Sequence, residues 1–312
     1  MIVALCGGIG ASKLLLGVCQ VIDPSELTVI VNTGDDFLLH SLTICPDLDT
    51  VAYTLAGFSD QERGWGIEGD SFNALSWLDR YGREAWFNLG DRDLATHLHR
   101  TALLRQGLTL AEVTDLVRRS LGVRTRILPM TNERISTIVL TDQGPRPFQE
   151  YLVRDGARHA VRGVRFEGVE RSRPAPGVLE AIEVADGIII CPSNPVISIG
   201  PILAVPDIRR ALTMTEAPIV AISPVVGGRS LKGPTDKFLA GLGHEVSALS
   251  VARLYQDLLD LLIVDRSDTE LLPAIEALPV KARTADTVMH NLEAKISLAK
   301  ETLSSLASLR PQ

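Results

Sequence analysis

The chain has 312 residues, 46% of them hydrophobic, and a formal net charge of −7. This composition predicts a folded globular protein with a large core, and the acidic balance without a basic block argues against broad nucleic-acid binding. The four cysteines form no C-x-x-C pair, which predicts a reducing compartment and no zinc site. No apolar run approaches the ~20 residues that span a bilayer, so we expect a soluble, cytoplasmic protein.

The first predicted element is a strand that runs into a glycine turn and then a helix. Ile2 to Leu5 are all apolar, as in a strand buried on both faces. Gly7, Gly8 and Gly10 follow, and Lys13 stands in the first turn of the helix. Because the free amides and the dipole of a helix N-terminus favour anions, this turn predicts a phosphate or nucleotide site. It matches neither the dinucleotide fingerprint nor the P-loop, so a turn that serves packing alone stays an alternative.

A second strand is predicted over Leu27 to Val31, and it ends in the loop Asn32-Thr33-Gly34-Asp35-Asp36. Ligands of open parallel sheets bind at the carboxyl ends of the strands, so this loop is expected to share a crevice with the glycine turn. The next predicted helix starts at Pro46 and carries Asp47 and Asp49, which are two residues apart and cannot share a helix face. We assign Asp47 to the N-cap and expect Asp49 to be free to meet a ligand.

These aspartates predict a metal site. Carboxylates that face a phosphate chain repel it unless a cation intervenes, and Mg²⁺ is the usual one. We therefore predict that Asp35, Asp36 and Asp49 hold Mg²⁺. For each aspartate taken singly, a solvated loop residue or a cap is the alternative.

Arg92 lies between two aspartates, just before a helix predicted over Leu94 to Leu104. A guanidinium at this place is a candidate for stabilising a transferring phosphoryl group, and pairing with its neighbours is the alternative. His97 and His99 are two residues apart and cannot face one ligand together on a helix. We interpret the histidines as surface or packing residues.

The pattern changes near residue 124. Strands are predicted over Ser136 to Leu140, Phe148 to Val153 and Ala160 to Phe166, with Gly144-Pro145 as a turn, which indicates an antiparallel insertion. Later, Asn194 follows a strand predicted from Gly187 to Cys191.

Another glycine-rich loop, from Gly227 to Pro234, offers amides and Lys232 to an anion. The fold class is therefore α/β, a Rossmann-like open, mostly parallel sheet with helices on both faces and an inserted smaller α+β region. We predict one domain over residues 1–312, with its core in 1–123 and 174–265, the β-rich insertion in about 124–170, and a C-terminal helix over about 285–309.

Several motifs together resemble the 2-phospho-L-lactate transferase family of coenzyme F-420 biosynthesis. The similarity runs in consistent order from Met1 to about Asp265. It rests on Gly7–Lys13, Val31–Asp36, Pro46–Thr50, Leu89–Leu94, Pro129–Thr131, Asn194–Pro195, Ser198–Pro201, Ser223–Pro224 and Lys232–Pro234.

This resemblance implies a Mg²⁺-dependent transferase that is a homodimer. The implied donor is a guanylyl diphospho-acid, the acceptor is the ribityl hydroxyl of 7,8-didemethyl-8-hydroxy-5-deazariboflavin, and GMP leaves. The family's deazaflavin contacts carry over to Asp49 and Arg92. The guanosine diphosphate part is assigned to two sets of residues: the first two loops, with Gly7, Gly8, Gly10, Lys13, Asn32 and Thr33, and the later loops, with Asn194, Ser198 and Lys232.

Ala11 departs from the family pattern, because a common second Gly-Gly is replaced by Gly10-Ala11. We expect its methyl group to reshape the donor pocket, and phospholactate, phosphoenolpyruvate and phosphoglycerate all stay open as the donor acid. The alternative function is a nucleotide-sugar-binding regulator of the gluconeogenesis-factor type, whose glycine loop is similar. An NAD dehydrogenase is disfavoured because the fingerprint is absent.

Overall fold

The computed structural model describes residues 1–309. The strands are β1 (Ile2–Cys6), β2 (Leu27–Val31), β3 (Phe37–Leu39), β4 (Leu42–Ile44), β5 (Arg126–Pro129), β6 (Ser136–Thr141), β7 (Gly144–Pro147), β8 (Val161–Glu167), β9 (Gly187–Ile190), β10 (Ile219–Ile222), β11 (Val225–Val226), β12 (Arg229–Ser230), β13 (Leu261–Asp265) and β14 (Lys281–Ala285). The helices are α1 (Gly8–Val18), α2 (Pro46–Leu55), α3 (Asn73–Arg80), α4 (Asp91–Arg105), α5 (Leu110–Ser120), α6 (Val178–Glu183), α7 (Ile199–Ala204), α8 (Ile208–Met214), α9 (Thr235–Gly241), α10 (Ala248–Tyr255), α11 (Leu272–Glu276) and α12 (Leu292–Leu309).

The main sheet has seven strands in the order β14-β13-β10-β9-β1-β2-β5, and each neighbouring pair is parallel. Its two faces are covered by two hydrophobic clusters. Val3 and Leu5 of β1 belong to the cluster that includes residues of α6, α7, α8 and α10, whereas Ala4 and Cys6 belong to the cluster that includes α1, α2 and α12. The predicted Rossmann-like α/β class is confirmed, because alternate residues of a parallel strand bury against helices on opposite faces.

The strand order reverses between β1 and β9. From β1 the chain moves outward through β2 to β5, and from β9 it moves the other way through β10 and β13 to β14. A crevice opens at such a switch point, beyond the carboxyl ends of the strands. There the Gly7 amide donates to Ser193 Oγ (3.2 Å) and the Ser193 hydroxyl donates to the Gly7 carbonyl (2.8 Å).

The antiparallel region is a three-stranded sheet in the order β7-β6-β8. The prediction of a strand over Phe148 to Val153 is wrong, because residues Glu150–Arg154 form a π-helix and the Gly144-Pro145 pair, predicted as a turn, lies in β7. Pro145 and Pro147 are tolerated in β7 because it is an edge strand, where a missing amide breaks no ladder bond.

The predicted boundaries differ from the structure at the start of the insertion and at the C-terminus. β5 pairs with β2 in the main sheet, so the antiparallel sheet starts only at Ser136. β14 pairs with β13 in the main sheet, although it lies outside the predicted core. The helix α12 begins at Leu292 and not near residue 285. β14 was missed because its sequence, Lys-Ala-Arg-Thr-Ala, lacks the apolar run of the other parallel strands. The division into one domain stays a prediction, and residues 310–312 lie outside the described part.

Within residues 1–309, no helix is long and apolar enough to cross a bilayer.

Candidate active site

A cavity of about 750 Å³ opens at the carboxyl ends of the main sheet. Its walls come from the loops that follow β1, β2, β9, β10 and β14, and from the segment around the π-helix of the antiparallel region. The loop 287–290, which follows β14, was absent from our prediction. The size of the cavity suits a small-molecule ligand, for which pockets of roughly 300–1,000 Å³ are typical.

The glycine turn of α1 lies against the carboxylate of Asp47. A Cβ atom at Gly7 would lie 2.8 Å from Asp47 Oδ2 and 2.8 Å from Ser198 Cβ, and Gly8 has a φ of +69°. A Cβ at Gly10 would meet the carbonyl oxygen of Pro192. Any residue with a side chain would thus force this turn away from the two neighbouring loops.

Asp47 does not cap its own helix, so that prediction is wrong. Its carboxylate accepts hydrogen bonds from Asn32 Nδ2 (2.9 Å) and from the Gly8 amide at the start of α1. The Asn32 side chain also accepts from the Gly34 amide (2.8 Å), so it ties the second loop to the glycine turn. Burial raises the pKa of Asp47 to about 6. A residue assigned to capping is therefore a carboxylate of the cavity wall.

Asp35 lines the cavity beside Asp47. Burial and the charges of Asp47 and Asp36 raise the pKa of Asp35, and its Oδ1 atom is buried without a hydrogen-bond partner. Asp36 and Thr33 stand behind this wall and do not line the cavity. Burial raises the pKa of Asp36 as well, although a hydrogen bond from the Cys45 thiol partly offsets this rise.

Asp49 is not a free carboxylate. Arg100 donates from Nη1 to Asp49 Oδ2 (3.0 Å) and from Nη2 to Oδ1, and both residues are buried. Asp49 lines the cavity, yet both of its oxygens are engaged by this guanidinium. The expectation that Asp49 is the freer of the two α2 carboxylates therefore does not match the structure.

His97 links Asp49 to Asp93. Its Nδ1 atom lies 3.7 Å from Asp49 Oδ2 and 3.2 Å from Arg100 Nη1, and its Nε2 atom lies 3.3 Å from Asp93 Oδ1. Because arginine only donates, we assign Nδ1 as the acceptor and place the proton on Nε2, toward Asp93. The hydroxyl of Tyr53 donates to the same Asp93 oxygen (2.8 Å). Burial alone would raise the pKa of Asp93, but the neighbouring His97 and the hydrogen bond from Tyr53 hold it below its usual value.

This buried network was missed in the sequence. His97 is 1% exposed and lines the cavity, so the interpretation of His97 as a surface or packing residue misses its place in the wall. The available signal was the spacing of Asp93, His97 and Arg100, which repeats at four and seven residues and puts them on one helix face.

Arg92 does not line the cavity. Its side chain is exposed, and Nη1 donates to the Glu68 carbonyl (3.2 Å). Asp70 accepts from the backbone amides of Arg92 (2.9 Å) and Asp93 (3.1 Å) and so caps the start of α4. The role predicted for Arg92 stays a prediction.

The remaining predicted ligand-binding residues meet at one side of the cavity. Lys13, Asn194, Ser198 and Lys232 all line it together with the glycine turn. Asn194 Oδ1 accepts from the Val196 amide (2.9 Å), whereas its Nδ2 atom is buried without a partner.

Apolar side chains also line the cavity. It is lined by Trp65, Phe87, Phe148 and Leu152, and Phe87 packs edge-on against Phe37 with ring centroids 5.0 Å apart. Phe148 and Leu152 belong to the antiparallel insertion, which had suggested no part in the site. The cavity therefore combines polar groups that suit phosphate groups with apolar side chains that suit a planar ring.

A family model described as 2-phospho-L-lactate transferase CofD matches residues 2–303. The chain belongs to this family. The match includes β14 and most of α12, so the C-terminal part is as much a family feature as the glycine turn.

Relatives of this family member are similar over nearly their whole length. The chain is 45% identical to a phosphoenolpyruvate transferase of Kitasatospora aureofaciens, over 99% of this chain and 98% of the relative. It is 42% identical to a 2-phospho-L-lactate transferase of Methanothermobacter thermautotrophicus, over 98% of each chain. The protein is therefore a phospho-group transferase.

A solved structure has the same fold. It is a UPF0052-family protein of Bacillus halodurans, with a TM-score of 0.66 and 18% identity over 97% of this chain and 98% of that one. At this identity the likeness concerns the fold only.

Ala11, where the transferase departs from the family's glycine pattern, is fully buried in the cluster between α1 and the sheet and does not line the cavity. The structure gives its methyl group no contact with the donor side.

Proposed function

We propose that the protein transfers a phospho-acid from a guanylyl diphospho-acid donor to the ribityl hydroxyl of 7,8-didemethyl-8-hydroxy-5-deazariboflavin, releasing GMP, in coenzyme F-420 biosynthesis. The observation that carries the proposal is a single cavity that is lined both by a glycine turn with lysines and by large apolar side chains. The names of the relatives support it, because they specify phosphoenolpyruvate and 2-phospho-L-lactate as the transferred acids.

The donor's diphosphate is placed at the glycine turn. The start of α1 offers its amides and its dipole, and Lys13 and Lys232 add positive charge. The unpartnered Nδ2 of Asn194 is a donor for the nucleotide. The deazaflavin ring is placed against Trp65 and Phe87, where stacking and burial of apolar area favour a flat ligand.

Mg²⁺ belongs to this proposal, and the carboxylates of the cavity fit it. Asp35 Oδ1 has no hydrogen-bond partner, and Asp47 adjoins it at the glycine turn. Such hard oxygen ligands next to a phosphate site suit Mg²⁺. We propose that Asp35 and Asp47 coordinate Mg²⁺ and that Asp36 lies behind them. Asp49 instead pairs with Arg100. A bound ion would offset the charge of the diphosphate and of the group in transfer.

The chain's own residues act mainly by positioning. In the transfer, the ribityl oxygen forms a bond to the phosphorus that carries the acid, and the bond from that phosphorus to the GMP oxygen breaks. Phosphoryl transfer asks little covalent chemistry of the protein. Asp49, Arg100, His97 and Asp93 form a buried network in the cavity wall, in which each member contacts at least one other.

Mass spectrometry of products tests the proposal. Purified protein is incubated with Mg²⁺, the deazaflavin and a mixture of the three guanylylated acids, phospholactate, phosphoenolpyruvate and phosphoglycerate. We expect one phospho-acid deazaflavin and an equal amount of GMP. No product from any donor, with tight calorimetric binding of a uridine sugar nucleotide, would refute the transferase and favour the regulator. The homodimer stays a prediction that light scattering of the purified protein checks.

A further inference from the structure

Three lysines from distant parts of the chain gather near the glycine turn. Lys13 lies in α1, Lys232 follows β12, and Lys295 lies in the first turn of α12. None of the ion pairs formed among residues 1–309 includes any of the three. Burial, and then the charges of Lys232 and Lys295, lower the pKa of Lys13. The cluster therefore lacks a counterion from the described part of the protein.

Lys295 is the most buried of the three, with 6% of its surface exposed. Its ammonium group donates to Gln61 Oε1 (3.1 Å), and its backbone carbonyl lies so close to Gly17 that a Cβ there would collide with it. A buried ammonium group is costly unless it is paired, and one neutral amide oxygen satisfies only one of its three donors. The amide of Gln61 therefore leaves the charge of Lys295 without a counterion within residues 1–309.

Gln61 connects Lys295 to a loop of the cavity wall. Gln61 Nε2 donates to Ser59 Oγ (2.9 Å), and Ser59 pairs with Ile67 through an antiparallel bridge. This bridge closes the 59–67 loop, whose residue Trp65 lines the cavity. Two hydrogen bonds therefore join Lys295 to Ser59, at the base of a loop that lines the cavity through Trp65.

We propose that Lys295 is a positioning residue of the donor site, which holds the 59–67 loop through Gln61 and joins Lys13 and Lys232 in attracting the donor's diphosphate. This inference rests on the proposed function, because a guanosine diphosphate group supplies the missing negative charge. It also gives α12 a part in the reaction, although α12 itself contributes no residue to the cavity lining.

The test compares Lys295→Met with Lys300→Met, an exposed lysine of the same helix. GDP with Mg²⁺ is the probe, measured by calorimetry at low and high salt. Losing a hydrogen-bonded charge predicts about tenfold weaker GDP binding and a shallower salt dependence in Lys295→Met. With the donor itself, KM is expected to rise about tenfold while kcat stays at the wild-type value. Lys300→Met is expected to behave as wild type.

Gln61→Leu separates the two parts of the role. It removes the link to the loop and keeps the lysine charge, so we expect weaker GDP binding with an unchanged salt dependence. GDP affinity within twofold of wild type in Lys295→Met overturns the inference. If Lys295→Met does not fold, a wild-type donor KM in Gln61→Leu overturns it instead. Wild-type protein that fails to bind GDP would refute the proposed function, which is a different outcome.

Discussion

The guanidinium of Arg100 engages both carboxylate oxygens of Asp49 inside the cavity wall. Removing one partner of a buried ion pair leaves the other charge uncompensated and typically costs ~3–5 kcal/mol. We expect Asp49→Asn and Arg100→Leu each to lower the free energy of unfolding by several kcal/mol in urea titrations, and the double variant Asp49→Leu with Arg100→Met to recover much of the loss.

Because Asp49→Asn is expected to be less stable, its turnover must be interpreted together with its measured stability. A variant that unfolds at the wild-type urea concentration and yet turns over slowly would show that Asp49 acts on the ligand directly. A variant that loses both stability and turnover would agree with a role of Asp49 that acts through Arg100.

Asp35→Asn is expected to stabilise the metal-free protein. The folded-state pKa of Asp35 is raised by burial and by Asp47 and Asp36, so the folded state holds this proton more tightly than the unfolded state. The stability that Asp35 contributes is therefore fully present below its pKa in the unfolded state. It is lost as the pH rises through its pKa in the folded state. At pH 8 we expect Asp35→Asn to raise Tm by at least about 2 °C, and to raise it less at pH 5.

The same variant should lose activity, because Asp35 is a proposed Mg²⁺ ligand. A thermal shift assay with and without Mg²⁺ checks both statements. An Mg²⁺-dependent rise in Tm as large as that of wild type would remove Asp35 from the metal site.

Gly10→Ala tests the close approach of two loops. The added Cβ would meet the Pro192 carbonyl oxygen, and backbone atoms cannot yield as a flexible side chain does. Overpacking of this kind typically costs ~1–3 kcal/mol. We expect lower stability in urea and at least tenfold weaker GDP binding, since the turn itself must move. Unchanged GDP affinity would place the nucleotide elsewhere.

Ala11→Gly is the matched control at the next position. Its methyl group packs in the core and does not face the cavity, and a glycine in a helix costs about 1 kcal/mol relative to alanine. We expect this loss of stability without any change in donor preference in the mixed-donor assay. A change in the preferred acid would restore Ala11 as a determinant of the donor pocket.

Arg92→Ala distinguishes a structural role of Arg92 from a catalytic one. An arginine on a transferring phosphoryl group can be worth ~10³–10⁵ in rate, whereas one hydrogen bond to the Glu68 carbonyl is worth about tenfold at most. Because its side chain lies outside the cavity lining, we expect kcat to fall by no more than about tenfold. A thousandfold loss, with Tm unchanged, would assign Arg92 to the reacting group.

Local patterns in the sequence were enough to predict the parallel sheet and its polar crevice. The apolar runs of β1, β2 and β10 and the glycine turn are short-range signals, since each depends on a few adjacent residues. β14 and the π-helix were not predictable in this way. β14 has no apolar run, and the π-helix overlaps a segment, Phe148 to Val153, whose residue types predict a strand.

The sequence by itself determined the α/β class, the family and the loop after β1 as the centre of the site. Only the tertiary structure decided which carboxylates are available, because Asp47 and Asp49 are distinguished by partners far along the chain. Asn32 and Gly8 turn Asp47 toward the cavity wall, and Arg100, 51 residues away, engages Asp49. Partner choice of this kind depends on how separate elements pack, which no local pattern encodes.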